Sequence, residues 1–256
     1  MKLFDLTDRK ALVVGGTSGL GKAIALGLAE AGADTAVTGR RIDAVREVND
    51  QIRALGRQSF DAACDATNRD QLSALRQRGE AEFGGLDILV YAAGVTLKKP
   101  TVDLTGDDWH AVTSINLDGA LFALQTFHPL LAQSRYPRVI TIASLSSLVA
   151  FHQVAAYSAS KAALLSLTRS LACEWAESGI RVNAIVPGVF VTDLNRKLLF
   201  ETPRGQELLT RTPMKRFGDA SELVGAAIYL ASDAASFVTG TALAVDGGFL
   251  ASGVNQ

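Results

Sequence analysis

The sequence predicts an α/β fold, a single doubly wound parallel sheet of about seven strands with helices on both faces. Short β-branched runs alternate with longer helical patterns along all 256 residues. The strand runs are apolar on both faces, as in sheets covered by helices on two sides. No repeat, low-complexity stretch or shift in composition divides the chain, and with 48% hydrophobic residues it can bury its core as one domain, residues 1–256.

Taken in order, Ala11–Val14 reads as the first strand, followed by a glycine-rich turn and a helix over Leu20–Ala31. Thr35–Thr38 is the second strand and Ala44–Ala54 its helix. A third strand is expected near Gln58–Ala63, then a helix over Gln71–Phe83. Ile88–Tyr91 leads to a helix over Trp109–Leu131, and Val139–Ala143 to a helix over Ala156–Ala176. Val182–Val186 and Ala242–Val245 complete the sheet, with a helix over Glu222–Ala231 between them. Only Asn195–Pro213 breaks this rhythm at length. With its flanks, residues 189–218, it is expected to act as a lid over a substrate.

Twenty-five basic residues against 26 acidic ones leave a net charge of -1, so no broad field recruits nucleic acid or an anionic membrane. A small-molecule partner fits this balance. No run is long enough to span a bilayer, and Met1–Leu6 lacks the uninterrupted apolar stretch of a signal peptide, which predicts a cytoplasmic protein. Cys64 and Cys173 have no CxxC partner or histidine cluster; both are expected to be buried thiols, and no metal site is expected.

Directly after the first strand comes Gly15-Gly16-Thr17-Ser18-Gly19-Leu20-Gly21. Glycines at 15, 19 and 21 let the backbone turn sharply and approach a pyrophosphate, whose charge is favoured at a helix N-terminus. A tight strand-to-helix connection needs similar glycines, but the position after the first strand of a βαβ unit favours a dinucleotide. The pyrophosphate would then lie against Gly15, Thr17, Ser18, Gly19, Leu20 and Gly21. A Rossmann-type site reads the adenosine ribose at the end of the second strand, with an acid for NAD or a cation for the 2′-phosphate of NADP. Here that segment is Thr38-Gly39-Arg40-Arg41, with glycine in the place of the acid. Arg40 and Arg41 therefore favour NADP over NAD. The same arginines also suit a solvated helix entrance or stacking on adenine.

Tyr157 and Lys161, in Tyr157-Ser158-Ala159-Ser160-Lys161, are four apart and share a helix face. An ammonium beside a phenol favours phenolate and would let a proton move near neutral pH. Such pairs are also common surface neighbours. Ser144, at the end of the fifth strand with twelve residues before Tyr157, brings a hydroxyl to the same crevice, where it can donate to an oxygen that gains negative charge. Asn116 is costly in mid-helix unless it has a partner.

The G-x-x-x-G-x-G turn, the Ser144, Tyr157 and Lys161 spacing, Asn116, Pro187-Gly188, Thr192 and Val245-Asp246-Gly247-Gly248 together resemble the short-chain dehydrogenase/reductase family, over nearly the whole chain. The resemblance implies an NAD(P)-dependent oxidoreductase that moves a hydride between nicotinamide and a secondary alcohol or ketone. It assigns Tyr157 as acid/base, Ser144 to the reacting oxygen, Lys161 to the ribose and the phenol, and Asn116 to a water relay. It places Asp65 and Ala66 at the adenine, Ala93 and Gly94 under the ribose, and Pro187, Gly188, Val189 and Thr192 around the carboxamide. Two departures stand out: Val14 replaces the usual threonine, and Tyr91-Ala92 replaces two asparagines before Ala93-Gly94. Tyr91 is expected to fill the vacated volume as core.

Phe4-Asp5-Leu6, the run Ala25–Ala33, Arg211-Thr212-Pro213 and Arg216-Phe217-Gly218 are similar to the sugar and sugar-acid, gluconate-type dehydrogenases of that family. The substrate is expected to be a sugar, sugar acid or polyol meeting Ser144, His152 and Tyr157. Arg196, Lys197 and Arg204 keep open a 3-oxoacyl thioester reductase. A nucleotide-binding regulator without catalysis is the alternative of another class. The family also implies a homotetramer built on the two long helices, where Leu117, Leu121, Leu124, Leu164, Leu167 and Leu171 serve either core or interface.

Overall fold

Alternate residues of a buried strand must face opposite layers, and both layers here are apolar. In a computed structural model describing residues 2–192 and 195–253, Leu12 and Val14 pack into one layer, whereas Ala11 and Val13 pack into the other. The sheet has seven strands, β1 Lys10–Val14, β2 Asp34–Gly39, β3 Ala62–Ala63, β4 Ile88–Tyr91, β5 Arg138–Ile142, β6 Arg181–Pro187 and β7 Ala242–Val245, of which the edge strands β3 and β7 are partly exposed. They form one sheet in the order β3-β2-β1-β4-β5-β6-β7, every pair parallel. This is the Rossmann-like, doubly wound sheet that the sequence predicts. Chain direction across the sheet reverses between β1 and β4, which opens a crevice beyond their carboxyl ends.

Helices α1 Gly19–Glu30 and α2 Ile42–Ala54 lie on the face of Ala11 and Val13, with Ile24, Leu28, Val45 and Ile52 fully buried. Helices α3 Arg69–Phe83, α5 Gly119–Gln133 and α6 Ala155–Glu174 cover the other face through Leu72, Leu124 and Leu164. Burying side chains of this size contributes roughly 1.5–3 kcal/mol each.

The third strand is shorter than the expected Gln58–Ala63. Buried Asn49 intervenes: its Oδ1 accepts the Val37 amide at 2.9 Å and its Nδ2 donates to the Phe60 carbonyl at 2.8 Å, replacing ladder bonds between β2 and the approaching chain. The expected helix over Trp109–Leu131 is interrupted. Helix α4 spans Gly106–Thr113 behind a Thr105–Asp108 capping box, and a π turn over Ser114–Asp118 separates it from α5. The segment read as an irregular lid holds α7 Arg196–Glu201 and α8 Pro203–Arg211, the latter begun by Thr202 as N-cap and proline in its first turn. Positions 193 and 194 of that expected lid lie outside the described residues. Helix α9 Val224–Ala231 then precedes β7.

Cys64 is buried, but Cys173 is exposed, contrary to expectation. One helical step of about 100° past buried Ala172 turns it away from the core. Among the described residues no helix is long and apolar enough to cross a membrane, and no three His, Cys, Asp or Glu residues gather as metal ligands.

Candidate active site

The glycine turn after β1 closes directly onto the end of β4. Gly15 has φ +82°, and a β-carbon there would lie 2.4 Å from the Ala93 nitrogen, so only glycine fits. Helix α1 begins just beyond, and its N-cap, Ser18, makes no side-chain capping bond. Its first N–H groups have no intrahelical acceptors and are available to an anion. Thr192 reaches the same place from the other side, its γ-methyl 3.6 Å from the β-carbon position of Gly19. Pro187 ends β6, and Gly188 donates its amide to the Val245 carbonyl at 2.8 Å, which leaves no space for a side chain against Asp246.

Arg40 and Arg41 follow β2, both exposed, and neither side chain makes a hydrogen bond or ion pair among the described residues. Asp65 follows β3. Its Oδ1 accepts the Thr67 amide at 2.9 Å and the Thr67 hydroxyl at 2.8 Å, and these bonds, with the charge of Arg40, hold its carboxyl below the usual range. The N-cap of α3 is Asn68, not Asp65, so this acid is not spent on the helix. Ala66 is buried beside it. These residues would hold a dinucleotide, with the glycine turn facing its pyrophosphate and Arg40 its adenosine end.

Ser144, Tyr157, Lys161 and Asn116 come together at the carboxyl ends of β4 and β5. Burial raises the Tyr157 phenol's pKa, and the neighbouring Ser144 hydroxyl offsets part of the rise. Lys161 is buried, which lowers its pKa to about 8, and its Nζ donates to the Ile142 carbonyl at 2.7 Å. Nζ lies 5.9 Å from the centre of the Tyr157 ring. The phenol's pKa was expected to be pulled down by the ammonium. Instead burial dominates, because the ammonium is turned to a backbone carbonyl.

Asn116 is fully buried inside the π turn, where its Oδ1 accepts the Val95 amide at 2.8 Å and its Nδ2 donates to the Val95 carbonyl at 2.9 Å and to Ser160 Oγ at 3.0 Å. It therefore ties the exit of β4 to the helix of Tyr157 and Lys161. Gly94 sits among them: a β-carbon there would lie 3.3 Å from both Asn116 Oδ1 and Lys161 Nζ.

Several contributors were not singled out from the sequence. Ser146 donates to Ser144 Oγ through both its hydroxyl, at 3.1 Å, and its amide, at 3.2 Å, leaving the Ser144 proton for another acceptor. Ser160 joins Asn116 to the catalytic helix. Their places, two after Ser144 and one before Lys161, were the only signals available. His152 is exposed; its carbonyl accepts from Arg204 Nη1 at 3.2 Å, which turns that arginine into a latch between α8 and the loop before α6. Gln153 adopts φ +63° with its carbonyl accepting the Lys99 amide at 2.8 Å. An open cavity of about 170 Å³ adjoins the crevice, lined by Val189, Thr212, Met214, Asp246 and Gly247.

A family model described as "Enoyl-(Acyl carrier protein) reductase" matches residues 14–250. The 2-dehydro-3-deoxy-D-gluconate 5-dehydrogenase of Escherichia coli K12 is 38% identical over 252 residues, covering 98% of this chain and 99% of that protein. The gluconate 5-dehydrogenase of Gluconobacter oxydans is 33% identical, with 98% of each chain covered. A crystal structure of a gluconate 5-dehydrogenase from Burkholderia cenocepacia in complex with NADP and tartrate superposes with a TM-score of 0.93 at 36% identity, over 98% of both chains. With the glycine turn, the serine, the tyrosine-lysine pair and the asparagine all meeting in one crevice, the chain belongs to the short-chain dehydrogenase/reductase family of NAD(P)-dependent oxidoreductases.

Proposed function

We propose that the protein is an NADP-preferring dehydrogenase of a sugar acid, interconverting a secondary hydroxyl and a ketone. The observation that carries the reaction is the convergence of Ser144, Tyr157, Lys161 and Asn116 at the crevice, with the Ser144 hydroxyl beside the phenol and Lys161 Nζ 5.9 Å from its ring. The nicotinamide, when bound, supplies or accepts the hydride. Tyr157 gives its proton to the ketone oxygen in reduction and takes one from the hydroxyl in oxidation. Ser144, its lone pairs occupied by Ser146, donates to that oxygen. Lys161 and Asn116 hold the phenol's surroundings and the ribose side of the crevice.

The sugar-acid reading draws on relatives acting on gluconate and 2-dehydro-3-deoxy-gluconate and on the tartrate of the Burkholderia structure. Arg40 and Arg41, in no ion pair among the described residues, support NADP. Residues 189–218, with α7 and α8 fastened to the His152 carbonyl by Arg204, would form the lid of a single catalytic domain. Leu117, Leu121 and Leu167 are only half-buried in this chain and suit the contact of a cytoplasmic homotetramer, whereas Leu124, Leu164 and Leu171 belong to the core.

Nicotinamide absorbance, followed at neutral and alkaline pH with both cofactors, tests the reading. Turnover is expected on sugar acids such as D-gluconate, preferentially with NADP. Turnover confined to 3-oxoacyl thioesters would move the assignment to acyl reduction, and cofactor binding without turnover on any class would favour the regulator.

A further inference from the structure

Tyr91 has no exposed surface, and its hydroxyl donates to the Ile115 carbonyl at 2.6 Å. In an α-helix the Ile115 carbonyl would accept the Gly119 amide. Here that amide goes to Ser114, one residue further back, as a π turn requires. The Ile115 carbonyl thus loses its helical partner inside the core, where an unpaired acceptor is costly, and the tyrosine hydroxyl takes the vacant place.

Room for this bond comes from the helix itself. A β-carbon on Gly119 would lie 2.6 Å from Tyr91 Oη and 3.1 Å from the Ala66 carbonyl. The residue after Ile115 is Asn116, whose side chain spans Val95 and Ser160, and Ser160 adjoins Lys161. A turn that relaxed to α-helical register would shift Asn116 away from all three bonds.

We propose that Tyr91 is a positioning residue: its hydroxyl holds the π turn open, fixes Asn116 between Val95 and Ser160, and so sets Lys161 beside Tyr157. The inference rests on the assignment of Tyr157 and Lys161 above. A tyrosine serving only as core filler would need its ring but not its hydroxyl.

Tyr91→Phe keeps the ring and removes the bond. The readout is the ionisation of Tyr157, taken at 295 nm as the difference between titrations with and without Tyr157→Phe, in the wild-type and Tyr91→Phe backgrounds with NADP present. Ser144 and Lys161 are the polar groups facing this phenol. Releasing Asn116 and Ser160 from their places around the phenol is expected to move its pKa by roughly 0.5–1 unit from the wild-type value, while NADP affinity changes less than about twofold and D-gluconate turnover falls about tenfold. Gly119→Ala approaches the same bond from the helix and keeps the question open should Tyr91→Phe fail to fold. The double variant should be no worse than the poorer single one, since both lose the same bond.

A Tyr157 titration and turnover that stay at wild-type values in Tyr91→Phe, with only thermal stability lowered, would overturn the proposal. The titration reads the phenol whatever its catalytic role. Retained turnover in Tyr157→Phe would instead remove the acid/base assignment, so the two failures are distinguishable.

Discussion

Replacing Arg40 with aspartate is expected to reverse the choice of cofactor. Arg40 is exposed and makes no ion pair among the described residues, so its removal should leave stability within about 0.5 kcal/mol of wild type. A charge-assisted hydrogen bond to the 2′-phosphate is worth about 1.5–3 kcal/mol, the lower end applying to an exposed group. A carboxylate in its place repels the phosphate by about 1 kcal/mol in water. Together these come to about 2.5 kcal/mol and lower kcat/KM for NADP by roughly 70-fold. NAD should be unaffected or improved, since an acid there can meet the ribose hydroxyls. The alternative of placing the acid at Gly39 is crowded, because a β-carbon would lie 3.0 Å from the Thr17 methyl. The assay is initial rate by absorbance with both cofactors, at low and high salt. In wild type the NADP preference should weaken with salt as the exposed pair is screened. A ratio of kcat/KM values that changes less than twofold in the variant would refute the assignment of Arg40 to the 2′-phosphate.

Tyr157→Phe should lower kcat by roughly 10²–10⁴-fold with cofactor affinity nearly intact, checked by turnover and by fluorescence titration with NADPH. Lys161 gives a pH signature in stability. Its folded pKa of about 8 lies below that of an exposed lysine, so between those values the unfolded chain binds more protons and stability rises with pH. The burial penalty is fully present below pH 8 and fades towards pH 10.5, an effect of about 3 kcal/mol. Lys161→Met should remove that slope, as read from melting temperatures of the cofactor-free protein between pH 7 and 10. Gly15→Ala should destabilise by about 2 kcal/mol or more and abolish NADP binding, since its methyl meets the Ala93 backbone at 2.4 Å; unchanged melting and affinity would show that the turn can open.

Much of the site was legible because its signals are local. The glycine spacing, the four-residue step from Tyr157 to Lys161 and the strand-end place of Ser144 each follow from the geometry of one element. The expected helix over Trp109–Leu131 failed at the π turn, since nothing in Ser114–Asp118 states that the Gly119 amide will choose Ser114 over Ile115. The third strand failed for a related reason. Asn49 lies on α2 yet takes over bonds of β2, a substitution visible only when the two elements are packed together.

By itself the sequence determined the alternation of strands and helices, the parallel sheet, the local spacing of Ser144, Tyr157 and Lys161 and the arginine pair that follows β2, because periodicity, turn chemistry and charge act over a few residues. Tertiary structure alone decided where the polar groups spend their bonds. Lys161 turned to a carbonyl 19 positions away and Tyr91 to one 24 away. Burial forces each such group to find a partner, and which partner lies within reach depends on how distant segments pack, which no local pattern encodes.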